Sequence, residues 1–465
     1  MNILFPSDTY IKRRKRLRDQ IGSGIILFPG NEDSPMNYTD NIYLFRQDSS
    51  FLYYFGLDVS SIVALIDIDE DKEIIFADEC TIEDIIWRGP QKPMSDSAGQ
   101  VGVTQTAPLE KLATILAEAA ERSRKIHYLP QYRATNIIRL EKLLSMPNAE
   151  VDDNVSVELI KAVAAQRSIK GDEEIAEIEV AMDICYEMHT AAMKTSRPGR
   201  YEREVAGLIE GIALSMGGRM SFPVIMSIHG ETLHNQYHGN LMKDGDIAIN
   251  DSGAESAMNY CSDVTRTIPI GGKFSARQKD IYMIVLNAQE IAMRAVKPGI
   301  EFRNVHLLAC EVLANGLKEI GLMKGDPAEA ARAGAHTLFF QCGLGHMMGL
   351  DVHDMEGLGE DYVGYTDTIK RNPQFGFCSL RMGKALEPGH VMTVEPGLYF
   401  IPELINCWKA EKKLSQFINY DKVEGYKDFG GVRLEDDILV TEEGYRLLGK
   451  PIPKSIEEVE TLASL

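Results

Sequence analysis

The stretch 246–267 places a carboxylate inside an apolar strand pattern. Ile247 and Ile249 alternate with other residues, and Asp251 continues their phase. Side chains two residues apart in a strand point to the same face, so the carboxylate is expected to face the core with the isoleucines. A buried carboxylate is costly unless it meets a cation, a metal ion or several hydrogen-bond donors. The chain must therefore fold around a partner for Asp251.

A second strand carrying a second acid follows directly. Gly253 and the polar residues up to Asn259 allow a tight return, after which 262–267 resumes an alternating, β-branched pattern that contains Asp263. Two acids on one hairpin fit two interpretations. One is an ion pair with Arg266, and the other is a shared divalent metal ion.

Length and charge limit the fold and the function. A chain of 465 residues is too long for one ordinary core, so two domains are expected. The net charge of −20 disfavours nucleic acid and anionic membranes as partners, and neither a signal peptide nor a membrane-spanning run is indicated. Seven cysteines without any Cys-x-x-Cys pair indicate reduced thiols, so we expect a cytoplasmic protein.

The pattern of apolar residues predicts two domains, at 1–169 and 170–465. Strand patterns at 24–29, 61–68, 73–77 and 126–129 accompany helical patterns at 8–21 and 109–119, which is typical of an α/β fold. The polar segment 167–172 predicts the boundary. Helices are then predicted from 172 up to Pro198 and over 202–216 and 276–296. Two long polar segments, 357–382 and 401–427, are predicted surface insertions that shape a cleft or subunit contacts.

The second domain repeats its acid pattern. Asp251-Ser-Gly is followed by Asp263, and Glu395-Pro-Gly is followed by Glu435. Val391, Thr393 and Glu395 share one strand face by the same period of two. Four carboxylates can therefore converge from two hairpins.

Histidines add to this pattern. His346 and His353 lie in a glycine-rich stretch, where glycines let the backbone approach closely. One imidazole with four carboxylates suits manganese(II), cobalt(II) or iron(II), and zinc(II) is less natural without a cysteine ligand. Two such ions sharing bridging acids would activate a water molecule and stabilise an oxyanion, which is the chemistry of hydrolysis.

These motifs resemble the aminopeptidase P and prolidase branch of the pita-bread metallopeptidases. The matching segments, in order, are 251–253, 262–267, 343–346, 351–354, 394–399 and 431–437. The stretch 45–49 and the aromatic residues after it resemble the N-terminal domain of aminopeptidase P. The resemblance implies an α/β N-terminal domain and an α+β C-terminal pita-bread (creatinase/aminopeptidase) domain.

The resemblance also implies roles for individual residues. Five residues match the metal ligands of the family: Asp251, Asp263, His346, Glu395 and Glu435. Asp263 and Glu435 match the bridging positions, and Glu395 matches the residue that shuttles the proton of the attacking water.

Residues around the ligands match the substrate-binding and outer positions of the family. His234 and His353 match histidines that hydrogen-bond the scissile carbonyl and the tetrahedral intermediate. Arg433 and Tyr399 match residues close to the metals, with Tyr399 also near the substrate. Trp87 resembles an aromatic residue that a neighbouring subunit lends to the substrate cleft, which implies a homo-oligomer, either a dimer or a tetramer.

The implied activity is that of an Xaa-Pro aminopeptidase, which removes the first residue from proline-containing peptides with a water activated by two divalent ions. Mn²⁺ is the expected metal, with Co²⁺, Fe²⁺ and Zn²⁺ as alternatives. A prolidase that accepts only Xaa-Pro dipeptides and a non-catalytic binding protein of the same fold are the alternative hypotheses.

Two departures from the family pattern stand out. Asp251 and Asp263 are one residue further apart than usual, which predicts a bulge or a longer turn between them. Cys342 replaces a histidine that often precedes the Gly-Leu-Gly-His motif, which affects any proton relay or outer-shell hydrogen bond there.

Overall fold

The computed structural model describes residues 4–465 and separates into two compact units. The first comprises the chain up to Arg167 together with 357–363, and the second comprises 168–356 and 364–465. The domain boundary between 169 and 170 stays a prediction. Over the described part of the chain, no helix combines the length and the apolar character needed to cross a membrane.

The first unit is built on a five-stranded sheet in the order β4–β3–β2–β1–β5. The strand β1 pairs antiparallel with β2 and parallel with β5. The elements are α1 (Ser7–Ile21), β1 (Ile25–Pro29), α2 (Ser49–Phe55), β2 (Val63–Asp67), β3 (Lys72–Phe76), α3 (Ile82–Arg88), α4 (Met94–Gln100), β4 (Gln105–Ala107), α5 (Glu110–Glu121), β5 (Ile126–His127), α6 (Ala134–Leu144), α7 (Asn148–Val151) and α8 (Val157–Arg167).

The core of this unit forms where the apolar strands meet α5. Leu27 and Leu65 are fully buried, and they belong to one apolar cluster with Leu112 and Leu116 of α5. The two leucines of α5 are four residues apart and therefore share one helix face. The four strands and two helices predicted in this region are confirmed.

The rest of the chain contains short strands between long helices. The elements are α9 (Asp172–Thr195), α10 (Glu202–Ser215), β6 (Arg219–Met220), β7 (Ile225–Ser227), β8 (Ile247–Ser252), β9 (Ala254–Glu255), β10 (Val264–Pro269), α11 (Ala276–Ala295), α12 (Phe302–Glu319), α13 (Pro327–Ala333), α14 (Glu360–Val363), β11 (Val391–Val394), β12 (Gly397–Tyr399), α15 (Pro402–Glu411), α16 (Tyr420–Val423), β13 (Gly431–Arg433), β14 (Asp436–Val440), β15 (Tyr445–Leu447) and α17 (Ile456–Ala463). Short 3₁₀ turns cover Ala335–Leu338, Glu356–Leu358, Phe377–Ser379 and Glu424–Tyr426.

Four antiparallel sheets organise the second unit. Their strand orders are β10–β8–β7, β11–β14–β15, β12–β13 and β6–β9. The helices α9 and α10 pack together, α11 packs on α12, and α9 also contacts β8 and β10. The three helices predicted in this unit are confirmed as α9, α10 and α11.

The predicted hairpin is formed by β8 and β10, with Asp251 opposite Thr265 in a continuous register. The extra residue between the two acids lies in the connection, where Asn259 adopts φ +66°. A longer turn therefore accommodates the unusual spacing. Gly253 has no substitute here, because a Cβ at this position would lie 1.8 Å from the carbonyl oxygen of Ser262.

Candidate metal centre

The five predicted ligands meet in one cavity of about 180 Å³ in the second unit. Asp251 lies near the end of β8 and Asp263 directly before β10. Glu395 lies between β11 and β12, Glu435 between β13 and β14, and His346 in the loop that follows Gly345. The β8–β10 pair thus delivers two acids, the β11–β14 and β12–β13 pairs flank the other two, and one loop delivers the imidazole.

The distances between the ligand atoms fit a shared ion. His346 Nε2 lies 3.5 Å from Asp263 Oδ2 and 3.5 Å from Glu395 Oε1. Ligand atoms of Asp263, His346 and Glu435 all lie within 4.8 Å of one another. A carboxylate oxygen and an imidazole nitrogen that bind the same ion are separated by about 3 Å, so small side-chain movements close the geometry.

The backbone around His346 fixes its tautomer. His346 Nδ1 donates to the Met347 carbonyl at 3.1 Å, which leaves the lone pair of Nε2 toward the acids. The backbone N–H of His346 donates to Thr393 Oγ1 at 3.1 Å. This close approach requires Gly345, since a Cβ there would lie 2.0 Å from the Thr393 carbonyl oxygen.

Several buried oxygens of this cluster lack hydrogen-bond partners within residues 4–465, and this shows whether the cluster suits metal ions. Asp251 Oδ1, Asp263 Oδ1 and Glu435 Oε1 are buried, and none has a hydrogen-bond partner among the described residues. Buried polar atoms normally have partners, and carboxylate oxygens are preferred ligands of hard divalent ions. The donor set therefore fits divalent ions.

Burial also raises the pKa of three of the ligands. The pKa values of Asp263 and Glu435 lie well above the usual range, because burial and then a neighbouring acid disfavour their charged forms. Burial raises the pKa of Glu395 as well, against the charges of His346 and Arg433. Bound cations would reverse these shifts.

The interpretation that the two hairpin acids form an ion pair with Arg266 is wrong. Arg266 instead pairs with Asp436 at 2.6 Å and donates to the Glu435 carbonyl. In the β8–β10 register it stands opposite Asn250, one residue out of phase with Asp251.

Arg433 is the cation that faces Asp251. Its guanidinium contacts the Asp251 carboxylate and donates to Thr265 Oγ1 at 3.0 Å and to the Tyr399 hydroxyl at 2.9 Å. Both Arg433 and Tyr399 are buried. These contacts hold one ligand in place, and only Arg433 of the two residues lines the cavity.

His234 and His353 line the same cavity. The ring of His353 lies 4.1 Å from the ring of His346, and its Nδ1 lies 2.5 Å from Glu356 Oε2. Arg381 donates to the same carboxylate at 3.0 Å. The His353 and Arg381 contacts lower the pKa of Glu356 to about 2, so this carboxylate is ionised and orients His353. Burial, followed by the charge of Arg433, lowers the pKa of His234.

Asp437, Ser379 and Arg381 are among the residues at the site that were not identified from the sequence. Asp437 accepts a hydrogen bond from the backbone N–H of Asp263 at 3.0 Å, and its position two residues after Glu435 was the available signal. Ser379 and Arg381 line the cavity from within the segment 357–382. That segment was predicted to shape a cleft, but nothing in its sequence indicated which residues do so.

The remaining sequence candidates lie in two different places. Cys342 lines the cavity, and burial raises the pKa of its thiol to about 12. Trp87 lies on α3 of the first unit with 79% of its surface exposed, and it does not line the cavity.

Comparison with known families decides the class of protein. The model described as "Metallopeptidase family M24" matches residues 176–442, and "Aminopeptidase P, N-terminal domain" matches residues 10–127. The chain belongs to metallopeptidase family M24. The M24 match contains all five predicted ligands, and the family is one of hydrolases that depend on divalent metal ions.

Individual relatives of this M24 chain cover almost its whole length. A "Probable Xaa-Pro aminopeptidase PEPP" of Uncinocarpus reesii is 32% identical over 95% of this chain and 90% of its own. An "Xaa-Pro dipeptidase" of Homo sapiens is 31% identical over 96% of this chain and 90% of its own. The structure of aminopeptidase P from Escherichia coli with the inhibitor Pro-Leu aligns with a TM-score of 0.80 at 28% identity, covering 99% of both chains.

These comparisons confirm the family resemblance and the fold class. An α/β aminopeptidase P-type N-terminal domain precedes an α+β catalytic M24 domain of the pita-bread kind. The prediction of a metal-dependent hydrolase is confirmed with them. The roles of the individual site residues stay predictions.

Proposed function

We propose that this M24 metallopeptidase is an Xaa-Pro aminopeptidase, which hydrolyses the bond between the first residue and a proline in second position. One observation carries the proposal. Asp263, His346 and Glu435 present ligand atoms within 4.8 Å of one another in the cavity that also contains His234 and His353. The similarity to proteins named Xaa-Pro aminopeptidase, and to a relative that binds Pro-Leu, supports the proline specificity.

The metal ions would supply the electrophile of this reaction. Two divalent ions held by the five ligands would polarise the scissile carbonyl and lower the pKa of a water molecule. We propose Mn²⁺ for both positions, because four carboxylates and one imidazole form a mainly oxygen donor set.

The side chains of the chain itself carry the remaining steps. Glu395 would accept the proton of the attacking water and pass it to the proline nitrogen, which has no hydrogen of its own in the peptide bond. His234 and His353 would hydrogen-bond the carbonyl oxygen as it gains negative charge. Arg433 would keep Asp251 in place. The apolar residues Phe222, Pro223 and Ile225 line the cavity and offer a surface for the proline ring.

Prolidase activity is the second candidate function, and Arg381 favours it. Its side chain lines the cavity, and an arginine there could bind the carboxylate of an Xaa-Pro dipeptide. In this structure the same guanidinium donates to Glu356, so part of its hydrogen-bonding capacity is already used. A 31% identical relative named Xaa-Pro dipeptidase also keeps this alternative open.

Relative turnover of matched peptides separates the candidates. After reconstitution with Mn²⁺, we expect kcat/KM for a tripeptide Xaa-Pro-Yaa to exceed that for the dipeptide Xaa-Pro by about tenfold or more. A tenfold ratio corresponds to about 1.4 kcal/mol of additional transition-state stabilisation. Xaa-Ala-Yaa serves as the control for proline specificity. Turnover restricted to the dipeptide would establish a prolidase, and absence of turnover with metal bound would establish a non-catalytic binding protein.

We also propose that the protein is a homo-oligomer and that it works in the cytoplasm. The assembly is supported by α3, which has no buried residue and exposes Ile82, Ile86 and Trp87. The compartment is supported by seven cysteines that are all free.

A further inference from the structure

A second cluster of metal-binding residue types lies in the same unit, outside the catalytic cavity. His306 and Cys310 are one turn apart on α12, and His336 lies on the 3₁₀ turn Ala335–Leu338. Their ligand atoms all lie within 4.8 Å of one another, and all three residues are buried. None of them lines the catalytic cavity.

The imidazole of His336 is the unexplained group. Its exposed fraction is 1%, and neither ring nitrogen makes a hydrogen bond of normal geometry among residues 4–465, although the carbonyl of Ala331 lies close enough to act on the pKa of the ring. Leaving a buried polar group unsatisfied costs about 1–3 kcal/mol. Packing on the edge of Phe377, whose ring centroid is 5.1 Å away, does not supply a hydrogen-bond partner. A group that accepts the nitrogen lone pair is therefore missing from the protein part of this cluster.

The geometry between the other two ligands suits zinc. The distance from Cys310 Sγ to His306 Nε2 is 3.5 Å. Sulfur at about 2.3 Å and nitrogen at about 2.05 Å from a tetrahedral zinc ion are separated by about 3.6 Å. His336 needs only to approach this pair to complete a site of three protein ligands.

We propose that His306, Cys310 and His336 bind one zinc-class ion per chain, separate from the catalytic ions. Binding would form one sulfur–metal bond and two nitrogen–metal bonds, a water molecule would take the fourth position, and the thiol proton of Cys310 would pass to solvent. A soft thiolate with two imidazoles selects zinc strongly over manganese, whereas the carboxylate cluster also suits manganese.

The surroundings keep the two imidazoles neutral, whereas burial raises the pKa of the Cys310 thiol well above its usual range, so a bound ion is needed to hold the thiolate. Burial lowers the pKa of His306 to about 4 and of His336 to about 3, so both rings are neutral and their lone pairs are available at physiological pH. The carbonyl of Ala331 also acts on the pKa of His336, which places it near the ring. It is the natural acceptor for the ring N–H that does not face the ion.

The ion would hold in place the segment of the chain that leads to the loop carrying His346. It would join α12 to the turn that lies ten residues before His346, and the rings of Phe340 and Phe377 would shield it, since both lie within 6.0 Å of the His306 ring. Because the three residues are buried and none lines the catalytic cavity, we expect an ion that stabilises the fold rather than a second catalytic one.

Cobalt substitution tests the proposal on the full chain without an affinity tag. The catalytic ligand set contains no thiolate, so a sulfur-to-Co²⁺ charge-transfer band in the near ultraviolet reports the new site. We expect this band in the wild type and in Cys342→Ala, and its loss together with one equivalent of bound metal in Cys310→Ala. Equal metal content in the wild type and Cys310→Ala, or a band that disappears only in Cys342→Ala, would overturn the proposal.

Stability provides a measurement that does not depend on spectroscopy. In the presence of a chelator, His336→Leu should be as stable as the wild type or more stable, because it removes an unsatisfied polar group. With Zn²⁺ added, the order should reverse, since only the wild type gains from the third ligand. Both proteins keep the catalytic carboxylates, so their contribution cancels. An unchanged order would mean that the three residues only pack against one another.

Discussion

At the scale of single residues, the predicted metal ligands and the predicted substrate-binding residues differ in what holds them. The predicted ligands are carboxylates and His346, whose Nδ1 donates to a backbone carbonyl. His353 contacts the ring of His346 but is held through Glu356 instead. The two neighbouring imidazoles therefore differ in their partners, and this difference predicts different effects on removal.

The variant His353→Ala should lose turnover but keep its metal. We expect kcat to fall by about 100-fold or more, which is the usual contribution of a positioned hydrogen-bonding or acid–base group. Steady-state kinetics on Xaa-Pro-Yaa together with metal analysis of the same sample measures both quantities.

The matched control is His229→Ala, which removes a histidine whose side chain is 53% exposed and whose Nδ1 contacts Glu231. This variant should keep near-wild-type rates, since His229 does not line the cavity. Loss of bound metal in His353→Ala would instead make His353 a ligand.

At the scale of elements, three short antiparallel pairs set the positions of the four acids, namely β8–β10, β11–β14 and β12–β13. In the first pair, the backbone of Gly253 lies so close to Ser262 that a Cβ added at Gly253 would be 1.8 Å from the Ser262 carbonyl oxygen. A side chain here meets backbone rather than a flexible side chain, so the chain around Asp263 must move.

The variant Gly253→Ala should therefore lose stability and metal together. We expect a fall of about 3 kcal/mol in the free energy of unfolding, at the upper end for an overpacked core, with weaker binding of Mn²⁺. Denaturant unfolding and Mn²⁺ titration measure the two effects.

The control for this prediction is Gly207→Ala on α10, where a Cβ would have no heavy atom within 4 Å. That change should be neutral or stabilise by about 0.5–1 kcal/mol, because alanine is the better helix former. A destabilisation of similar size in both variants would show that the close approach at Gly253 is unimportant.

The same elements show why the sequence predicted the acids but not their partners. The period of two within each strand was enough to place Asp251 and Glu395, because it depends on neighbouring residues alone. The same period of two places Arg266 on the opposite face of the strand from Asp263. Applied to Arg266 as well, it would have excluded the predicted ion pair between Arg266 and the hairpin acids.

Partners that depend on tertiary structure were outside the reach of any such pattern. Arg433 meets Asp251 across 182 residues, and the pairing between the two halves of the unit decides that contact. Arg381 reaches the cavity from an irregular segment whose path has no sequence period. For the same reason His306 and Cys310 could be noticed as helix neighbours, whereas His336 could not be joined to them.

At the scale of the whole molecule, α3 presents an apolar surface that residues 4–465 leave exposed. Its seven residues begin with a capping box formed by Thr81 and Asp84, so the helix is well defined although none of its residues is buried. Ile86 and Trp87 are 72% and 79% exposed. An ordered helix with this apolar surface is typical of a protein–protein interface.

Two variants separate assembly from catalysis at this helix. Ile86→Asp should convert the proposed oligomer to monomer, because it would introduce a charge into the proposed apolar interface. Leu214→Asp on α10 is the control for an exposed leucine elsewhere. Trp87→Ala should keep the assembly and lower kcat/KM by about tenfold, or about 1.4 kcal/mol, if the indole contacts substrate in a neighbouring subunit. Light scattering gives the mass and peptide kinetics give the rate. A wild-type protein that is monomeric, together with a Trp87→Ala variant of unchanged kcat/KM, would contradict both the assembly and the shared cleft.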